Sequence, residues 1–402
     1  MPRLRILVPV LVVTMLAVAC SSASTLAPTS VPAKPAETKP AASPATAASP
    51  ATAASPSTAA SPAASPAAAS ASPAASPGAS PGASPAAAAS PAAAAAKRLR
   101  VGLVTDVGKV DDKSFNQSAW EGVQRAQREL GAEVKFLETT DPKDYAKNID
   151  QFAQDNYDVI VTVGFAIGQA TQEAAVKYRN VRFIGVDQFQ EKTVDNVSGL
   201  IFDEDKAGYL AGALAGLLTQ SGTVGAVLGT DLVPPVVKFG KGYEAGAKAV
   251  KPDIKVLMAY HPGGLARGFT DPDWGKATTT QMIQQQADVI FGAGGNTGNG
   301  ALLGALERNV LAIGVDTDQW ETLPQVRPVL VSSAMKLITP GVFDLIKATG
   351  DGSIKAGNQV GQVGLAPFHD NDSKVPAAAK ERLQQIDAGL KNGSIRTGVT
   401  LP

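Results

Sequence analysis

Three aspartates come directly after short apolar segments of the chain: Asp106, Asp187 and Asp316. Glycines take the same place after two further apolar segments, at Gly164 and at Gly294-Gly295. One such aspartate is typical of a helix cap or a turn, but three at equivalent positions indicate a single polar pocket. A pocket rich in hydrogen-bond acceptors suits a ligand that donates hydrogen bonds, such as a sugar or the edge of a nucleobase.

Residues 106–122 combine polar and aromatic side chains at the start of an amphipathic stretch. Ser114 is expected to cap a helix there, and Asn116 brings an amide group to its first turn. Phe115 lies between these two polar residues. Its ring is either a hydrophobic staple for the helix or a stacking platform for a planar ligand, and the pattern leaves both interpretations open.

Composition argues against several classes of chemistry. The single cysteine excludes an intramolecular disulfide, and the well-separated His261 and His369 offer little to a metal ion. The 36 basic residues balance the 36 acidic ones, with no basic block beyond the extreme N-terminus, which argues against nucleic-acid binding. The adjacent Asp111 and Asp112 are interpreted as capping groups on a loop, and Asp271 as the cap of a following helix. We therefore expect no catalytic site, no cofactor and no metal.

Apolar segments with strand character alternate with helical patterns through the middle of the chain. The predicted strands are residues 99–105, 133–137, 159–163, 182–186, 224–228, 255–260, 289–292 and 311–315. The predicted helices are residues 118–130, 145–155, 166–178, 240–250, 274–286 and 300–308. This alternation predicts an α/β fold with parallel, doubly wound sheets, and the two successive series predict two Rossmann-like lobes.

Residues 292–298 read Gly-Ala-Gly-Gly-Asn-Thr-Gly and lie between a predicted strand and a predicted helix. With Asp316 about twenty residues downstream, they are similar to the fingerprint of dinucleotide-dependent oxidoreductases. The glycine spacing is one residue longer than in that fingerprint, and no histidine or cysteine is placed to act as a general acid. An oxidoreductase stays an alternative function at this point.

The N-terminus reads as an export signal. Two arginines precede an apolar segment, residues 6–18, which is shorter than the roughly 20 apolar residues of a membrane span. Cys20 is either a chance residue after this segment or the lipidated cysteine of a bacterial lipoprotein, because residues 17–20 resemble a lipobox. We expect residues 1–20 to be a lipoprotein signal peptide.

Residues 21–97 are expected to form a disordered tether. Within them, residues 41–96 are almost entirely Ala, Ser and Pro and include no charged side chain. A proline every few residues prevents a regular helix, and such a composition cannot offset the entropy of ordering. The tether would hold a globular domain away from a membrane, whereas a degenerate insertion is the alternative interpretation.

Residues 114–122, Ser-Phe-Asn-Gln-Ser-Ala-Trp-Glu-Gly, together with Asp106 and Asp112, closely resemble the signature of the basic membrane protein family. These are the purine-nucleoside-binding lipoproteins of ABC importers. The similarity covers essentially residues 99–401. It implies the clamshell fold of type I periplasmic binding proteins, with two lobes joined by a hinge. We expect these lobes to be formed by residues 98–202 with about 318–350, and by about 203–317 with 351–402.

The resemblance also implies which residues contact a ligand. The two rings that would stack on the faces of the purine are Phe115 and Phe239. The groups that would face the edge of the base are Asp106, Asn116 and Asp187. The ribose contacts would be Asp316, Lys336 and the backbone of Gly294 and Gly295.

The resemblance implies a function without catalysis. The protein would be anchored to the outside of the bacterial cell membrane through a lipid on Cys20, capture a purine nucleoside as a monomer, and deliver it to the permease and ATPase subunits of an ABC importer. A nucleoside sensor, or another surface lipoprotein without a transport role, is the alternative.

Overall fold

The computed structural model describes residues 98–401. The expected signal peptide, the lipidation of Cys20 and the expected tether lie outside these residues. Within them, no helix combines the length and the apolar character that crossing a bilayer requires.

The described chain contains two six-stranded sheets. The strands of the first are β1 (Arg100–Val107), β2 (Glu133–Thr139), β3 (Val159–Val163), β4 (Arg182–Val186), β5 (Val197–Ile201) and β11 (Gly357–Val360). The strands of the second are β6 (Thr223–Leu228), β7 (Lys255–Tyr260), β8 (Val289–Ala293), β9 (Leu311–Asp316), β10 (Leu330–Lys336) and β12 (Val363–Leu365). The first sheet has the order β11-β5-β4-β3-β1-β2 and is wholly parallel, and the second has the order β12-β10-β9-β8-β6-β7 with only β12 antiparallel.

Helices connect most of the strands and cover the sheets. They are α1 (Phe115–Leu130), α2 (Tyr145–Gln154), α3 (Gly168–Lys177), α4 (Glu204–Leu218), α5 (Pro234–Val250), α6 (Gly264–Arg267), α7 (Pro272–Gln284), α8 (Gly295–Glu307), α9 (Gln319–Thr322), α10 (Ile338–Gly350) and α11 (Ala377–Asn392). Short 3-10 turns occur at Pro142–Asp144, Pro324–Val326 and His369–Lys374. The prediction of parallel sheets in an alternating α/β fold is confirmed.

Every predicted strand and helix is present, with ends that shift by a few residues. The largest shift is in α5, which begins at Pro234 because two prolines occupy its first turn, where a missing N–H costs nothing. The prediction that Asp271 caps α7 is confirmed, since its carboxylate accepts a hydrogen bond from the backbone N–H of Trp274 at 3.1 Å.

The expected division into lobes is wrong in two places. Residues 318–350 were expected in the first lobe, but β10 pairs with β9 and extends the second sheet. Only α10, at the end of that segment, packs in the core of the first lobe as expected. Residues 351–402 were expected in the second lobe, and β12 and α11 do lie there, but β11 pairs with β5 in the first sheet. The chain therefore crosses between the sheets three times, after β5, after β10 and after β11. Each lobe is completed by a strand that is distant in sequence, which local patterns do not reveal.

Helices α4 and α5 lie unusually close together in the second lobe. A side chain at Gly208 or Gly212 of α4 would collide with the backbone carbonyls of Phe239 and Tyr243 on α5. Small residues at these positions let the two backbones approach each other. This packing fixes the face of α5 that carries Phe239.

Candidate functional site

The two lobes enclose a cavity at the carboxyl ends of their parallel strands, where ligands of such sheets bind. Its volume is about 730 Å³, including the part that opens to solvent. The first lobe contributes the ends of β1, β3 and β4 and the start of α1, and the second contributes α5, the start of α8 and the ends of β9 and β10. All nine residues predicted to contact a ligand line it, namely Asp106, Phe115, Asn116, Asp187, Phe239, Gly294, Gly295, Asp316 and Lys336. Their contact with a ligand stays a prediction.

The start of α1 is held by Asp112 rather than by Ser114. The Asp112 carboxylate accepts hydrogen bonds from the backbone N–H groups of Ser114, Asn116 and Gln117 at 3.0, 3.0 and 3.1 Å. The Ser114 hydroxyl makes no capping bond and instead donates to Asp316 Oδ2 in the other lobe at 2.7 Å. The prediction that Ser114 caps the helix is therefore wrong, because a carboxylate two residues earlier reaches three of the free N–H groups.

Two aromatic rings face the cavity from opposite lobes. Phe115 is the first residue of α1, and its ring centroid lies 4.6 Å from Lys336 Nζ. Phe239 on α5 is buried and tilted against Phe291, and its centroid lies 5.9 Å from the same Nζ. A staple residue precedes the N-cap, whereas Phe115 follows it, so the staple interpretation is wrong. Stacking on a ligand stays a prediction for both rings.

Four charged groups meet where the chain crosses between the lobes. Lys336 Nζ lies 2.5 Å from Asp187 Oδ2 in the first lobe and 3.7 Å from Glu204 Oε1 at the start of α4. Lys238 Nζ lies 3.1 Å from the other carboxylate oxygen of Glu204. Lys336, Asp187 and Glu204 are nearly fully buried. We call Asp187, Glu204, Lys238 and Lys336 the hinge cluster.

Burial and charge oppose each other in the hinge cluster and beside it. Burial alone would lower the pKa of Lys336, but the carboxylates of Asp187, Glu204 and Asp316 together raise it, so the ammonium group stays charged. Burial, opposed by Lys336, raises the pKa of Glu204 to about 7. Burial also raises the pKa of Asp316 against the opposing effects of Lys336 and Ser114. The ammonium groups of Lys336 and Lys238 thus do not fully compensate the burial of the neighbouring carboxyl groups.

The first lobe adds two further carboxyl groups with raised pKa. Desolvation, reinforced by Asp112 and Asp187, raises the pKa of Asp106 well above its usual value. The backbone at Gly164, with φ of 111°, packs directly on that carboxylate, and a side chain there would collide with it. Burial raises the pKa of Asp112 to about 6 despite its three backbone hydrogen bonds. A ligand that donates hydrogen bonds would stabilise the ionised form of these groups.

Two acceptor oxygens at the cavity lack partners. Asn116 Oδ1 and Asp187 Oδ1 are buried and make no hydrogen bond to any residue in 98–401. Both residues line the cavity. Because buried polar atoms in folded proteins are almost always bonded, these two oxygens are positioned for donors that a ligand would bring.

The sequence is similar to known proteins over most of the described chain. Residues 99–366 match the family described as "ABC transporter substrate-binding protein PnrA-like". The chain belongs to this family. The resemblance to basic membrane proteins is thereby confirmed.

This substrate-binding protein has relatives along most of its length. It is 32% identical to the "ABC transporter nucleoside-binding protein BmpA" of Lactococcus lactis, over 73% of the chain and 88% of the relative. It is also 32% identical to the "CD4+ T-cell-stimulating antigen" of Listeria innocua, over 74% of the chain and 88% of the relative. The solved ABC-transporter solute-binding protein of Aeropyrum pernix superimposes with a TM-score of 0.67 at 24% identity, covering 74% of this chain and 92% of that one. This likeness confirms the predicted clamshell fold.

Because the chain belongs to a substrate-binding family, the oxidoreductase alternative is no longer favoured. In this substrate-binding protein, the glycines at 292–298 are explained by close packing. A side chain at Gly292 would approach the carbonyl oxygen of Gly298 to 2.6 Å, and one at Gly294 would approach the backbone nitrogen of Gly229 to 2.6 Å. The spacing of these glycines follows from the close contacts of the end of β8 with helix α8 and with the end of β6. Within residues 98–401, no group of three or more acidic, cysteine or histidine side chains is placed to hold a metal ion.

Sequence reasoning missed Glu204, Gln319 and the cross-lobe bond of Ser114. Glu204 opens α4, which was not predicted because its Ala, Gly and Leu residues are buried on all sides and give no helical period. The acidic pair Glu204-Asp205 after Asp203 was an available signal for a helix start. Gln319 lies on the four-residue helix α9, which is too short for any periodicity.

Proposed function

We propose that this substrate-binding protein captures a purine nucleoside between its lobes and delivers it to an ABC permease. The observation that carries the proposal is the combination of two rings from opposite lobes with two unpartnered buried acceptors in one cavity. A planar heterocycle with N–H groups on its edge satisfies both features. The name of the Lactococcus lactis relative, a nucleoside-binding protein, agrees with the proposal.

The base would lie between Phe115 and Phe239. Its edge would face Asp106 and Asn116, whose oxygens accept from N–H groups. Asp187 would face the same edge, where its free Oδ1 can accept a hydrogen bond while Oδ2 holds Lys336.

The ribose would lie toward the second lobe. Asp316 Oδ2 is bonded to Ser114, which leaves Oδ1 to accept from a sugar hydroxyl. Lys336 would donate to the sugar, and the backbone of Gly294-Gly295 at the start of α8 would contact it from the other side. Replacing Asp316 by Ala should therefore weaken the binding of nucleosides much more than the binding of free bases. If both affinities fall equally, Asp316 does not contact the sugar.

The charge of the cavity favours a nucleoside over a nucleotide. The carboxylates of Asp106, Asp187 and Asp316 line it, while Lys336 is already bonded to Asp187. Lys109, the other lysine of the lining, is exposed. A phosphate group would bring negative charge close to three carboxyl groups, so nucleoside monophosphates should bind more weakly than nucleosides.

Calorimetry with guanosine, adenosine, inosine, uridine and guanosine monophosphate tests the ligand class after any co-purified ligand has been removed. We expect at least one purine nucleoside to bind more tightly than uridine and the monophosphate. Tight binding of an unrelated solute, with none of these binding, would overturn the proposal.

Delivery and anchoring need separate tests. We infer that the protein acts as a monomer on the outside of the membrane, held by a lipid on Cys20. Uptake of labelled nucleoside should require the protein, and metabolic labelling with palmitate should be lost in Cys20→Ser. Nucleoside binding without any effect on uptake would favour the sensor or surface-lipoprotein alternative.

A further inference from the structure

The loop between β1 and α1 contacts the second lobe through its backbone. Asn299 Nδ2 donates to the carbonyl oxygen of Asp112 at 2.8 Å. Gln319 Nε2 and Thr322 Oγ1 both donate to the carbonyl oxygen of Lys113, at 3.2 and 2.7 Å. These three bonds join segments that are about 190 to 210 residues apart in sequence. We call them, together with the bond from Ser114 to Asp316, the clasp.

The amide donors of the clasp are held in place by hydrogen bonds within the second lobe. Gln319 is 1% exposed, its Oε1 accepts from the backbone N–H of Val315 at 2.9 Å, and its Nε2 also donates to Asn299 Oδ1 at 2.8 Å. Asn299 Nδ2 also donates to Asn296 Oδ1 at 3.2 Å. These amide groups therefore point across the cleft without having to be ordered by closure, which lowers the entropic cost of the contact.

The acceptors are fixed as well. Lys113 has φ of 61°, a left-handed conformation that is unfavourable for lysine and that sets the direction of its carbonyl group. The Asp112 carboxylate meanwhile holds the following backbone N–H groups. Phe115 and Asn116, which line the cavity, come immediately after this rigid loop.

We propose that Asn299, Gln319 and Thr322 are positioning residues that hold the closed lobes together and thereby fix Phe115 and Asn116 over the ligand. None of the three lines the cavity. Opening the lobes breaks their bonds to the loop, and closing restores them. They set the dissociation rate by the same factor for every solute that the cavity accepts, since a solute leaves only after the lobes open.

Thr322→Val tests the proposal, because it removes one donor at a partly exposed position while keeping the shape of the side chain. We expect the dissociation rates of guanosine and adenosine, measured by stopped-flow in the full chain, to rise by about 2- to 10-fold, the effect of one neutral hydrogen bond. Both ligands should show the same factor. Thr322→Ser keeps the hydroxyl and should restore the wild-type rate. Gln319→Met, which also removes a donor to Lys113, should raise both rates as well.

Thr280→Val is the matched control. Its hydroxyl bonds to Lys276 within α7 and does not cross the cleft, so its dissociation rates should stay at the wild-type value. A melting curve of each variant shows whether the fold is retained.

A ligand-free measurement separates this inference from the proposed function. Spin labels at two exposed positions, Lys147→Cys in the first lobe and Ala277→Cys in the second, in the full chain carrying Cys20→Ser, report the ratio of closed to open protein. Thr322→Val should lower that ratio by about 2- to 10-fold even if no nucleoside binds. An unchanged ratio, or dissociation rates that change for one ligand and not for the other, would overturn the proposal that the clasp holds the closed lobes together.

Discussion

Two of the contacts between the lobes of this substrate-binding protein differ in chemistry. At the hinge cluster, buried charges from both lobes lie beside the points where the chain crosses, with Lys336 between Asp187 and Glu204. At the clasp, three neutral hydrogen bonds reach backbone carbonyls of the loop before α1, and only the bond to Asp316 involves a charge.

This difference separates two tasks. Leaving a buried charge unpaired is costly, so the ion pairs of the hinge cluster must stay formed for the fold to be stable. Neutral hydrogen bonds are exchanged readily for bonds to water, so the clasp can form and break each time the lobes close and open. Phe115 lies between the two, since it follows the clasp loop and lies beneath Lys336.

Lys336→Met should break the hinge cluster with the largest effect. It leaves Asp187 buried without an ammonium partner and Glu204 with Lys238 alone, and breaking a buried pair in this way costs about 3 to 5 kcal/mol of unfolding free energy. Denaturant unfolding of the ligand-free protein measures the loss. Lys248→Met, which removes an exposed partner of Glu244 on α5, is the matched control and should cost less than about 1 kcal/mol. Similar losses in both variants would mean that the hinge cluster is no more than a surface ion pair in energy.

Glu204→Gln should change how stability depends on pH. The pKa of Glu204 is raised from 4.5 to about 7 by burial, so its contribution to stability is fully present below pH 4.5 and is lost as the pH rises to 7. The wild-type unfolding free energy should therefore fall across this window, by a Glu204 contribution on the order of 2 to 3 kcal/mol. The unfolding free energy of the Glu204→Gln variant should fall less steeply with pH.

The control for that titration is Glu244→Gln on the exposed face of α5. Denaturant unfolding of the ligand-free proteins at several pH values between 4.5 and 7 compares the three slopes. The Glu244 variant should keep the wild-type slope. A Glu204 variant that also keeps it would show that Glu204 stays ionised throughout.

Phe115→Ala addresses the residue that lies between the two regions. If the ring stacks on the base, its loss removes about 1 to 3 kcal/mol of binding free energy and weakens affinity roughly 5- to 150-fold. The ligand-free melting temperature should change little, and Phe115→Tyr should preserve binding where the cavity has room. Calorimetry and a melting curve on the same sample decide the matter, since a destabilised variant of unchanged affinity would exclude stacking.

The sequence predicted the parts of the site that depend on local pattern. Asp106, Asp187 and Asp316 each follow an apolar strand, and the geometry of parallel sheets brings such strand ends to one edge. Phe239 and Lys336 were placed by the family resemblance alone, and both line the same cavity.

The parts that were missed depend on contacts between distant segments. Ser114 was interpreted as a cap because its neighbours in sequence favour one, whereas its hydroxyl bonds to Asp316, 202 residues away. The strand β10 includes Ser332 and Ser333, which weaken its strand pattern, and only its pairing with β9 assigns it to the second lobe. Local composition does not encode such pairings, so the lobe boundaries and the clasp emerge only from the folded chain.

The smallest expected effect belongs to the one bond of the clasp that also touches the predicted sugar site. Ser114 donates to Asp316 Oδ2, so the two residues should be coupled in ligand binding. A double-mutant cycle with Ser114→Ala and Asp316→Ala measures that coupling as the difference between the double variant and the two single variants. We expect about 1.5 kcal/mol with guanosine, the lower end for a hydrogen bond to a charged group, because opening exchanges the bond for bonds to water. Free guanine, which lacks the sugar, should show a similar coupling if the bond acts only through closure, and a smaller one if Ser114 also orients Asp316 toward the ribose. If the losses of binding free energy are additive with both ligands, Ser114 and Asp316 are not coupled. The clasp would then consist of its three neutral hydrogen bonds alone.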